Sequence, residues 1–221
     1  MALTRDAVVD AAVDLLAEVG LEGLSLRRLA RELGVSAPTL YWHVADKRTL
    51  LDHVAERLLA DQWQVVPLAP GQDWGDWLRE RAVRQYRALV AHRDAARIVA
   101  GNRPTEAALP AVEAVLGTLV EAGFSPADAF STIQAVGNLV IGSAIEYHAE
   151  HERDASDDAR AAPDRDTYPH LAALAPVLAA RTGTPADHEA LFRHGLDLMI
   201  AGLRAGTEGR PAEAAASTRP G

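Results

Sequence analysis

The stretch that decides the fold is residues 25–43, which read SLRRLARELGVSAPTLYWH. Ser25 and Ser36 are residue types that favour the N-cap of a helix, because a hydroxyl oxygen accepts a hydrogen bond from a free backbone N–H group. Gly34 lies between them and lets the chain reverse without a side-chain clash. The pattern therefore predicts two short helices joined by a tight turn.

The predicted helix pair has two faces of different character. Apolar residues at helical spacing predict a shared inner face, formed by Leu26, Leu29, Ala30, Val35 and Leu40. Arg27, Arg28 and Arg31 fall on the outside, where they would face phosphates. This arrangement is typical of a helix-turn-helix, whose second helix enters the major groove of DNA. Helix pairs with a glycine turn also occur in proteins that bind no DNA.

The charge of the chain is unevenly distributed. The 221 residues have a formal net charge of −9. Residues 25–48 hold five basic and two acidic residues, which gives this segment a charge of +3 and leaves −12 for the rest. The acidic balance argues against a protein coated in nucleic acid, whereas the basic segment fits phosphate contacts on one local surface.

The second helix of the pair carries side chains that suit a DNA groove. Thr39 offers a hydroxyl and a methyl group, and Tyr41 and Trp42 can contact sugars, methyl groups and base edges. His43 and Lys47 are placed to reach phosphates. In the alternative interpretation, Tyr41 and Trp42 pack the core of a small domain, because aromatic side chains are mostly buried.

Helices are predicted along almost the whole chain, and an aromatic content of 5% favours helix over sheet. Besides the central pair, over 25–33 and 36–43, the predicted helices cover residues 4–19, 47–62, 74–91, 95–100, 105–122, 125–150, 167–181 and 184–204. Thr4, Asp46 and Thr105 are their expected N-caps, and Gly20 is an expected stop. The expected fold class is all-α.

A stretch with Pro67, Pro70 and Gly71 interrupts the helical pattern and indicates a domain boundary. The predicted units are a three-helix helix-turn-helix domain, a larger helical ligand-binding and dimerisation domain, and a disordered tail: residues 1–63, 64–205 and 206–221. Residues 150–166 are rich in charge and alanine, so a mobile loop or a frayed helix end is expected there.

The sequence lacks the residue signatures of several function classes. The chain has no cysteine, hence no disulfide framework, thiolate nucleophile or cysteine-based zinc site. No Ser/His/Asp set, acid–base pair or glycine-rich phosphate loop indicates an enzyme, and no cofactor is expected. Neither a signal peptide nor an apolar run of roughly 18 residues is present. We expect a soluble cytoplasmic protein that does not enter a membrane.

Residues 4–63 resemble the N-terminal DNA-binding domain of the tetracycline-repressor (TetR) family. The similarity lies in the strings GLSLRRLA (23–30), LGV (33–35) and PTLYWHV (38–44). It continues to about residue 205, except over 150–166, and favours the tetracycline-repressor-like branch. The later strings are HRD (92–94), GNRPTE (101–106), GFS (123–125), AVG (135–137) and GL (195–196).

The resemblance implies a ligand-responsive repressor. A homodimer would place its two recognition helices in successive major grooves of a palindromic operator, about 34–36 Å apart. A ligand that prefers the DNA-free form would release the protein. The implied DNA contacts are Ser25, Arg27, Ala37, Pro38, Thr39, Tyr41, Trp42, His43 and Lys47. Ala37 stands where the family reads a base with glutamine, so a different operator is expected.

The resemblance also implies an effector pocket, in which the residues for a magnesium–tetracycline complex have changed. Val99 stands at the position of the metal-binding histidine and cannot ligate a cation. Asn102 replaces a hydrogen-bonding threonine, and Glu146 keeps the position of a water-mediated metal contact. The expected effector is therefore a small molecule other than magnesium–tetracycline.

The pocket is expected to persist with a new polar lining. The candidate ligand-binding residues are Trp63, Arg81, Gln85, Val99, Asn102, Val115, Gln134, Asn138 and Glu146. Trp63, Arg81 and Gln85 stand where the family has histidine, asparagine and phenylalanine. Of these, Arg81 and Gln85 suit an anionic or carbonyl-bearing ligand. Gln134 and Asn138 share one helix face, and buried amides require partners that a ligand can supply. Alternatively, these groups bond to backbone or water, or are exposed.

His148 and His151, with Glu146 and Glu150, form a charged cluster at the end of a predicted helix. Two histidines three residues apart lie on adjacent faces, and no third close ligand is fixed by the pattern. Such pairs are more often solvated, so no metal site is predicted.

Two predicted helices, near 126–149 and 185–204, carry apolar stripes wider than one core face requires. Their apolar and small residues are Phe130, Ile133, Val136, Gly137, Val140, Ile141, Gly142, Ser143 and Ile145, and Leu191, Phe192, Leu196, Leu198, Met199, Ile200 and Leu203. The resemblance places a homodimer interface here. Alternatively, these stripes belong to the core of a monomer.

Two alternative functions remain for the protein as a whole. It could be a helical enzyme, or a family member that uses its helix pair for protein contacts only.

Overall fold

The protein is all-α, as predicted. The computed structural model describes residues 3–60, 66–152, 164–180 and 183–208, and these contain ten α-helices, a short 3₁₀ helix at Glu106–Ala108 and no strand. The helices are α1 (Arg5–Gly23), α2 (Leu26–Glu32), α3 (Ala37–Tyr41), α4 (Lys47–Leu58), α5 (Trp74–Ala91), α6 (Ala95–Val99), α7 (Leu109–Glu121), α8 (Pro126–His151), α9 (Pro169–Ala180) and α10 (Pro185–Glu208).

Helices α2 and α3 form the predicted helix-turn-helix. The Ser25 hydroxyl accepts a hydrogen bond from the Arg28 N–H at 3.2 Å, and the Ser36 hydroxyl accepts one from the Thr39 N–H at 3.3 Å. Gly34 has a φ of 65°, a conformation that favours glycine. The predicted inner face is confirmed: Leu29, Ala30 and Leu40 are buried, and Leu26 and Val35 pack against the same core.

Several helix ends differ from the prediction. Gly20 is non-helical, but a further turn carries α1 on to Gly23. Thr105 does not cap a helix; it bonds to Glu56, and the chain forms a 3₁₀ turn before α7. Pro110 lies in the first turn of α7, where its missing N–H costs little. Helix α10 runs to Glu208, four residues beyond its predicted end.

The predicted N-caps at Thr4 and Asp46 are confirmed, since their side chains accept hydrogen bonds from the backbone N–H groups of Ala7 and Thr49. Helix α8 extends to His151, into the segment expected to be a loop or a frayed helix end. Helix α4 ends at Leu58, four residues before its predicted end. Most of the expected loop (153–163) and the tail from residue 209 lie outside the described residues.

Helix α8 is the centre of the larger part of the protein and packs against α5, α6, α7 and α10. Helix α5 also packs against α10, where the Tyr86 and Phe192 rings are stacked with centroids 4.5 Å apart. The Arg79 Nε group donates to Asp197 at 2.7 Å on the same contact. The buried apolar residues form one continuous cluster from α1 to α10, so the core is not interrupted near residue 64.

The apolar stripes of α8 and α10 divide into two faces. Val140 on α8 and Leu196 on α10 are completely buried within the chain. Other members of the same stripes point outward, and the exposed fractions are 58% for Phe130, 36% for Ile145, 49% for Leu191 and 63% for Leu198. The monomer core therefore accounts for only part of each stripe.

No single helix among the described residues is long and apolar enough to cross a membrane. One bent pair, Glu106–Glu121 with Pro126–His151, passes the same test by length and composition alone.

The contact between α5 and α10 predicts a pH-dependent contribution to stability. Arg87 donates two hydrogen bonds to the Glu189 carboxylate, at 2.7 and 2.8 Å, and Arg193 donates a third at 2.8 Å. The bonds from Arg87 lower the pKa of Glu189 from 4.5 to about 2, against the opposing effect of burial and with a further contribution from Arg193. Because this pKa is depressed on folding, the stabilisation is present above about pH 4.5 and is lost as the pH falls toward 2.

We therefore expect the difference in unfolding free energy between the wild type and Glu189→Gln to be largest near neutral pH and to shrink between pH 4.5 and 2. Urea unfolding at a series of pH values measures it. Glu80→Gln, which alters an exposed carboxylate on α5 with no ion pair among the described residues, is the control. A difference that is constant with pH would contradict the assignment.

Candidate DNA-binding surface and effector region

Helix α3 and the residue that follows it present two aromatic side chains to solvent. Leu40 and Val44 are 0% and 1% exposed and attach this segment to the core, whereas Tyr41 is 53% and Trp42 is 87% exposed. The alternative in which Tyr41 and Trp42 pack the small domain is therefore wrong. Large exposed aromatic side chains are available for a partner and contribute little to the fold.

The basic side chains around α2 have no acidic partner among the described residues. Within the described part of the chain, no carboxylate lies within 4.0 Å of Arg27, Arg28 or Arg31, while arginines elsewhere, such as Arg57 and Arg87, form ion pairs. Arg27 and Arg31 are exposed and Arg28 is half-buried. This unpaired positive charge lies on the same helix pair as the exposed aromatic side chains, as a phosphate-binding surface requires.

The other predicted contact residues have more varied positions. Ser25 and Pro38 are exposed, and Ala37, Thr39 and His43 are half-buried. The hydroxyl groups of Thr39 and Ser36 lie 2.8 Å apart in a mutual hydrogen bond. The Ser25 hydroxyl caps α2, and a DNA contact by Ser25 stays a prediction.

Lys47 points inward in this structure. Its Nζ group donates a hydrogen bond to the Leu21 carbonyl oxygen at 3.2 Å. The start of α4 is thereby tied to the last turn of α1. A phosphate contact by Lys47 stays a prediction, and it requires the ammonium group to leave or share this carbonyl.

The last turn of α1 is also tied to α6, through a residue that the sequence did not single out as functional. Asp94 accepts a hydrogen bond from the Leu21 N–H at 2.8 Å and another from Arg97 at 2.8 Å. Burial alone would raise the pKa of Asp94, but the bonds from Leu21 and Arg97 hold it below its usual range. Asp94 has a φ of 61°, and a Cβ atom at Gly20 would lie 3.1 Å from its carboxylate. No sequence pattern reveals this conformation.

A second tie joins α4 to the loop after α6. The Glu56 carboxylate accepts hydrogen bonds from the Thr105 N–H at 2.7 Å and from its hydroxyl at 2.9 Å. Arg48 donates to the Gly101 carbonyl oxygen. Asn102 lies between these anchor points, and its side-chain oxygen is buried without a hydrogen-bond partner. An unpaired buried acceptor is costly, so this atom is suited to a donor from a ligand.

The candidate effector residues fall into two groups. Arg81, Gln85 and Asn102 are half-buried, and Val99 and Val115 are buried, 8% and 3% exposed. Burial, together with the nearby charge of Arg84, lowers the pKa of Arg81. Gln134, Asn138 and Glu146, on the outward face of α8, form the second group.

The second group corrects one expectation. Gln134 and Asn138 are exposed, not buried, because Thr132, Val136 and Val140 occupy the side of α8 that faces the core. Trp63 lies outside the described residues. The single chain thus does not enclose the whole predicted set.

The described residues line two surface cavities of similar size, among others, and the candidate effector residues line neither of these two. One, of about 510 Å³, lies between Glu56 on α4 and Ala111 on α7. The other, of about 550 Å³, lies between Thr132 on α8 and Met199 on α10.

The histidines at the end of α8 have partners within the protein. The His148 ring bonds to the Leu89 carbonyl at 3.2 Å, the His151 ring bonds to the Tyr147 carbonyl at 2.7 Å, and His188 lies 3.3 Å from Glu150. No group of three or more potential ligands among the described side chains is arranged to hold a metal ion.

Comparison with known proteins agrees with this geometry. Residues 8–54 match the family model described as bacterial regulatory proteins of the tetR family, and residues 66–207 match the tetracycline repressor-like C-terminal domain. The chain is 40% identical over 201 residues to the tetracycline repressor protein class D of Escherichia coli. The matched region covers 91% of this chain and 89% of that protein.

Two solved structures illustrate the ligands found on similar chains. TetR of class A, in complex with 5a,6-anhydrotetracycline and magnesium, has a TM-score of 0.67 and 33% identity, with 92% of this chain and 99% of that chain covered. ActR of Streptomyces coelicolor, in complex with actinorhodin, has a TM-score of 0.81 and 28% identity, with coverages of 95% and 99%.

Proposed function

The chain belongs to the TetR family of DNA-binding transcriptional regulators, and from this premise we propose that it is a repressor that binds a palindromic operator as a homodimer and is released by a small molecule. Its relatives are regulators rather than enzymes. This function places the protein in the cytoplasm, together with its DNA.

The observation that carries the proposal is the surface of α2 and α3. Trp42 and Tyr41 are exposed beside the buried Leu40 and Val44. The arginines of the same helix pair have no carboxylate partner among the described residues. Aromatic groups that touch base edges and cations that touch phosphates are the two contact classes of a specific protein–DNA interface. Ala37 offers only a methyl group, which supports an operator different from that of the tetracycline repressors.

The outward faces of α8 and α10 support the homodimer. Phe130, Ile145, Leu191 and Leu198 are exposed apolar residues on adjacent helices. A Cβ atom at Gly142, on the same side of α8, would meet no atom of the described residues within 4 Å. A symmetric partner would cover these side chains and approach the backbone closely at the glycine.

A dimer also explains the exposed amides of α8 and the exposed helix α9. Leu171, Leu174 and Val177 on α9 are 52%, 46% and 51% exposed, so the described part of the chain leaves this apolar face uncovered. We propose that α9 packs against the partner subunit and completes the effector pocket around Gln134 and Asn138.

The effector proposed here is an organic molecule that binds without a metal ion. Val99 offers no ligand atom, and the unpartnered oxygen of Asn102 requires a hydrogen-bond donor. Gln85 adds an amide and Arg81 a cation whose pKa is lowered by burial, so an oxygen-rich ligand with both donors and acceptors fits best. Binding at Asn102 would act on α4 through the Thr105–Glu56 and Gly101–Arg48 bonds.

The experiment that tests the function uses the DNA upstream of the protein's own coding sequence. Purified protein should retard this duplex at low salt, and the affinity should fall steeply as KCl is raised, because phosphate contacts release counterions. Absence of retardation at low salt, on this duplex and on duplexes selected from a random library, would contradict the proposal.

The response to magnesium–tetracycline is a separate prediction. We expect tetracycline with excess MgCl₂ not to release the protein from its duplex, because a buried valine replaces the direct metal ligand. Fluorescence titration of tetracycline, with and without EDTA, measures binding directly. Saturable binding that EDTA abolishes would show that other residues hold the ion and would overturn the prediction.

A further inference from the structure

Arg5 lies outside the helix-turn-helix but contacts its end. It is the first residue of α1, and its Nε group donates a hydrogen bond to the carbonyl oxygen of His43 at 3.2 Å. His43 directly follows Trp42, the most exposed large apolar side chain on the recognition surface. The guanidinium group is therefore held at the C-terminal end of α3, although 38 residues separate Arg5 and His43 in the chain.

The charge of Arg5 is not neutralised by its acidic neighbours. Asp6, in the same first turn of α1, and Asp10, on the next turn, both pair with Arg57 of α4. Arg5 is exposed, and in the described part of the protein no carboxylate lies within ion-pair distance of it. Among the described residues only its Nε–H group has a partner, which leaves the four N–H groups of the two terminal nitrogens as donors.

We infer that Arg5 is an additional DNA-contact residue that donates to a backbone phosphate beside the position reached by His43. The inference rests on the proposed binding of DNA through α3. A guanidinium matches phosphate geometry with two parallel donors, and its hydrogen bond to His43 positions the group at little entropic cost. Because a phosphate carries no base identity, Arg5 contributes affinity and orientation but not sequence preference.

Binding as a function of salt tests this role. The probes are a duplex selected by the wild-type protein from a randomised library and an unrelated duplex of the same length. For Arg5→Gln, we expect the plot of log affinity against log [KCl] to become shallower by about 2 per dimer, or about 1 for each lost contact. Affinity should fall by a similar factor on both probes, on the order of tenfold at moderate salt.

Two variants separate charge from structure. Arg5→Lys keeps the charge and should retain most of the salt dependence, while Arg84→Gln removes an exposed arginine on α5 and should leave both affinity and slope unchanged. The melting temperature of Arg5→Gln should equal that of the wild type, since an exposed hydrogen bond contributes little to stability.

The outcomes are distinct. An Arg5→Gln variant with wild-type slope and affinity would overturn the inference. A loss of affinity with unchanged slope would also overturn it, because Arg5 would then only brace α3. If the wild type itself retains no duplex, the proposed DNA-binding function fails, and this inference fails with it.

Discussion

Replacing Trp42 with alanine is expected to weaken binding to the selected duplex on the order of hundredfold and to leave the melting temperature unchanged. Trp42 is 87% exposed, so its removal creates no cavity in the core. An anchoring aromatic side chain at an interface commonly contributes 1.4 kcal/mol or more, which is about tenfold in affinity. A dimer places one Trp42 in each half-site, and the two losses multiply.

Fluorescence anisotropy with a labelled duplex measures the affinity, and thermal denaturation measures the stability. Leu109→Ala is the matched control, because Leu109 is 54% exposed but lies on α7, outside the helix-turn-helix. It should not change the affinity. If Trp42→Ala binds as tightly as the wild type, α3 does not form the DNA contact that we propose. If it unfolds at a lower temperature, the tryptophan has a structural role that its exposure does not indicate.

Replacing Leu198 with glutamate is expected to convert the protein from a dimer to a folded monomer. Leu198 is 63% exposed on the outward face of α10, where none of the described residues covers it. In a twofold-symmetric interface each substitution occurs twice, so the dimer would bury two uncompensated carboxylates. Buried unpaired charge costs about 3–5 kcal/mol, so we expect the dimer dissociation constant to rise at least about a thousandfold.

Sedimentation equilibrium at several protein concentrations gives the dissociation constant, and far-ultraviolet circular dichroism checks that the helices persist. Leu109→Glu introduces the same charge at a similarly exposed leucine on α7 and should remain a dimer. Because each half-site would then be bound independently, Leu198→Glu should also bind the palindromic duplex far more weakly. A variant that stays a dimer with unchanged dissociation constant would exclude α10 from the interface.

The two substitutions divide the function between two surfaces. Loss of DNA binding with an intact dimer, in Trp42→Ala, and loss of the dimer with an intact fold, in Leu198→Glu, would together support the division into a DNA-binding and a dimerisation unit. That division stays a prediction, since the buried core runs without a break from α1 to α10.

Local patterns account for the parts of the fold that could be predicted. The caps of α2, α3 and α4 depend on contacts between residues three apart, as in Ser25 with Arg28 and Asp46 with Thr49. Apolar periodicity over a few turns likewise predicts which side of α2 is buried. The prediction failed at Thr105, because a long-range bond to Glu56 replaced the local cap.

The candidate effector site was less predictable. The family resemblance indicates Gln134 and Asn138 as pocket residues. However, α8 has two apolar faces, and apolar periodicity does not say which neighbour covers each face. Only the packing of α5, α6, α7 and α10 around α8 reveals that these amides point outward. Asn102 could be named from its position, whereas its unpartnered oxygen becomes visible only in three dimensions.

The all-α class, the helix-turn-helix and its exposed basic residues follow from the amino-acid sequence alone, because they depend on interactions between residues a few positions apart and on side-chain chemistry. The connections between the DNA-binding helices and the rest of the protein depend on tertiary structure. Leu21 bonds to Asp94, Arg5 to His43 and Glu56 to Thr105, across 73, 38 and 49 residues. Hydrogen bonds of this kind have no periodic signal, since any of many polar groups could pair until the packing of the core selects the partners.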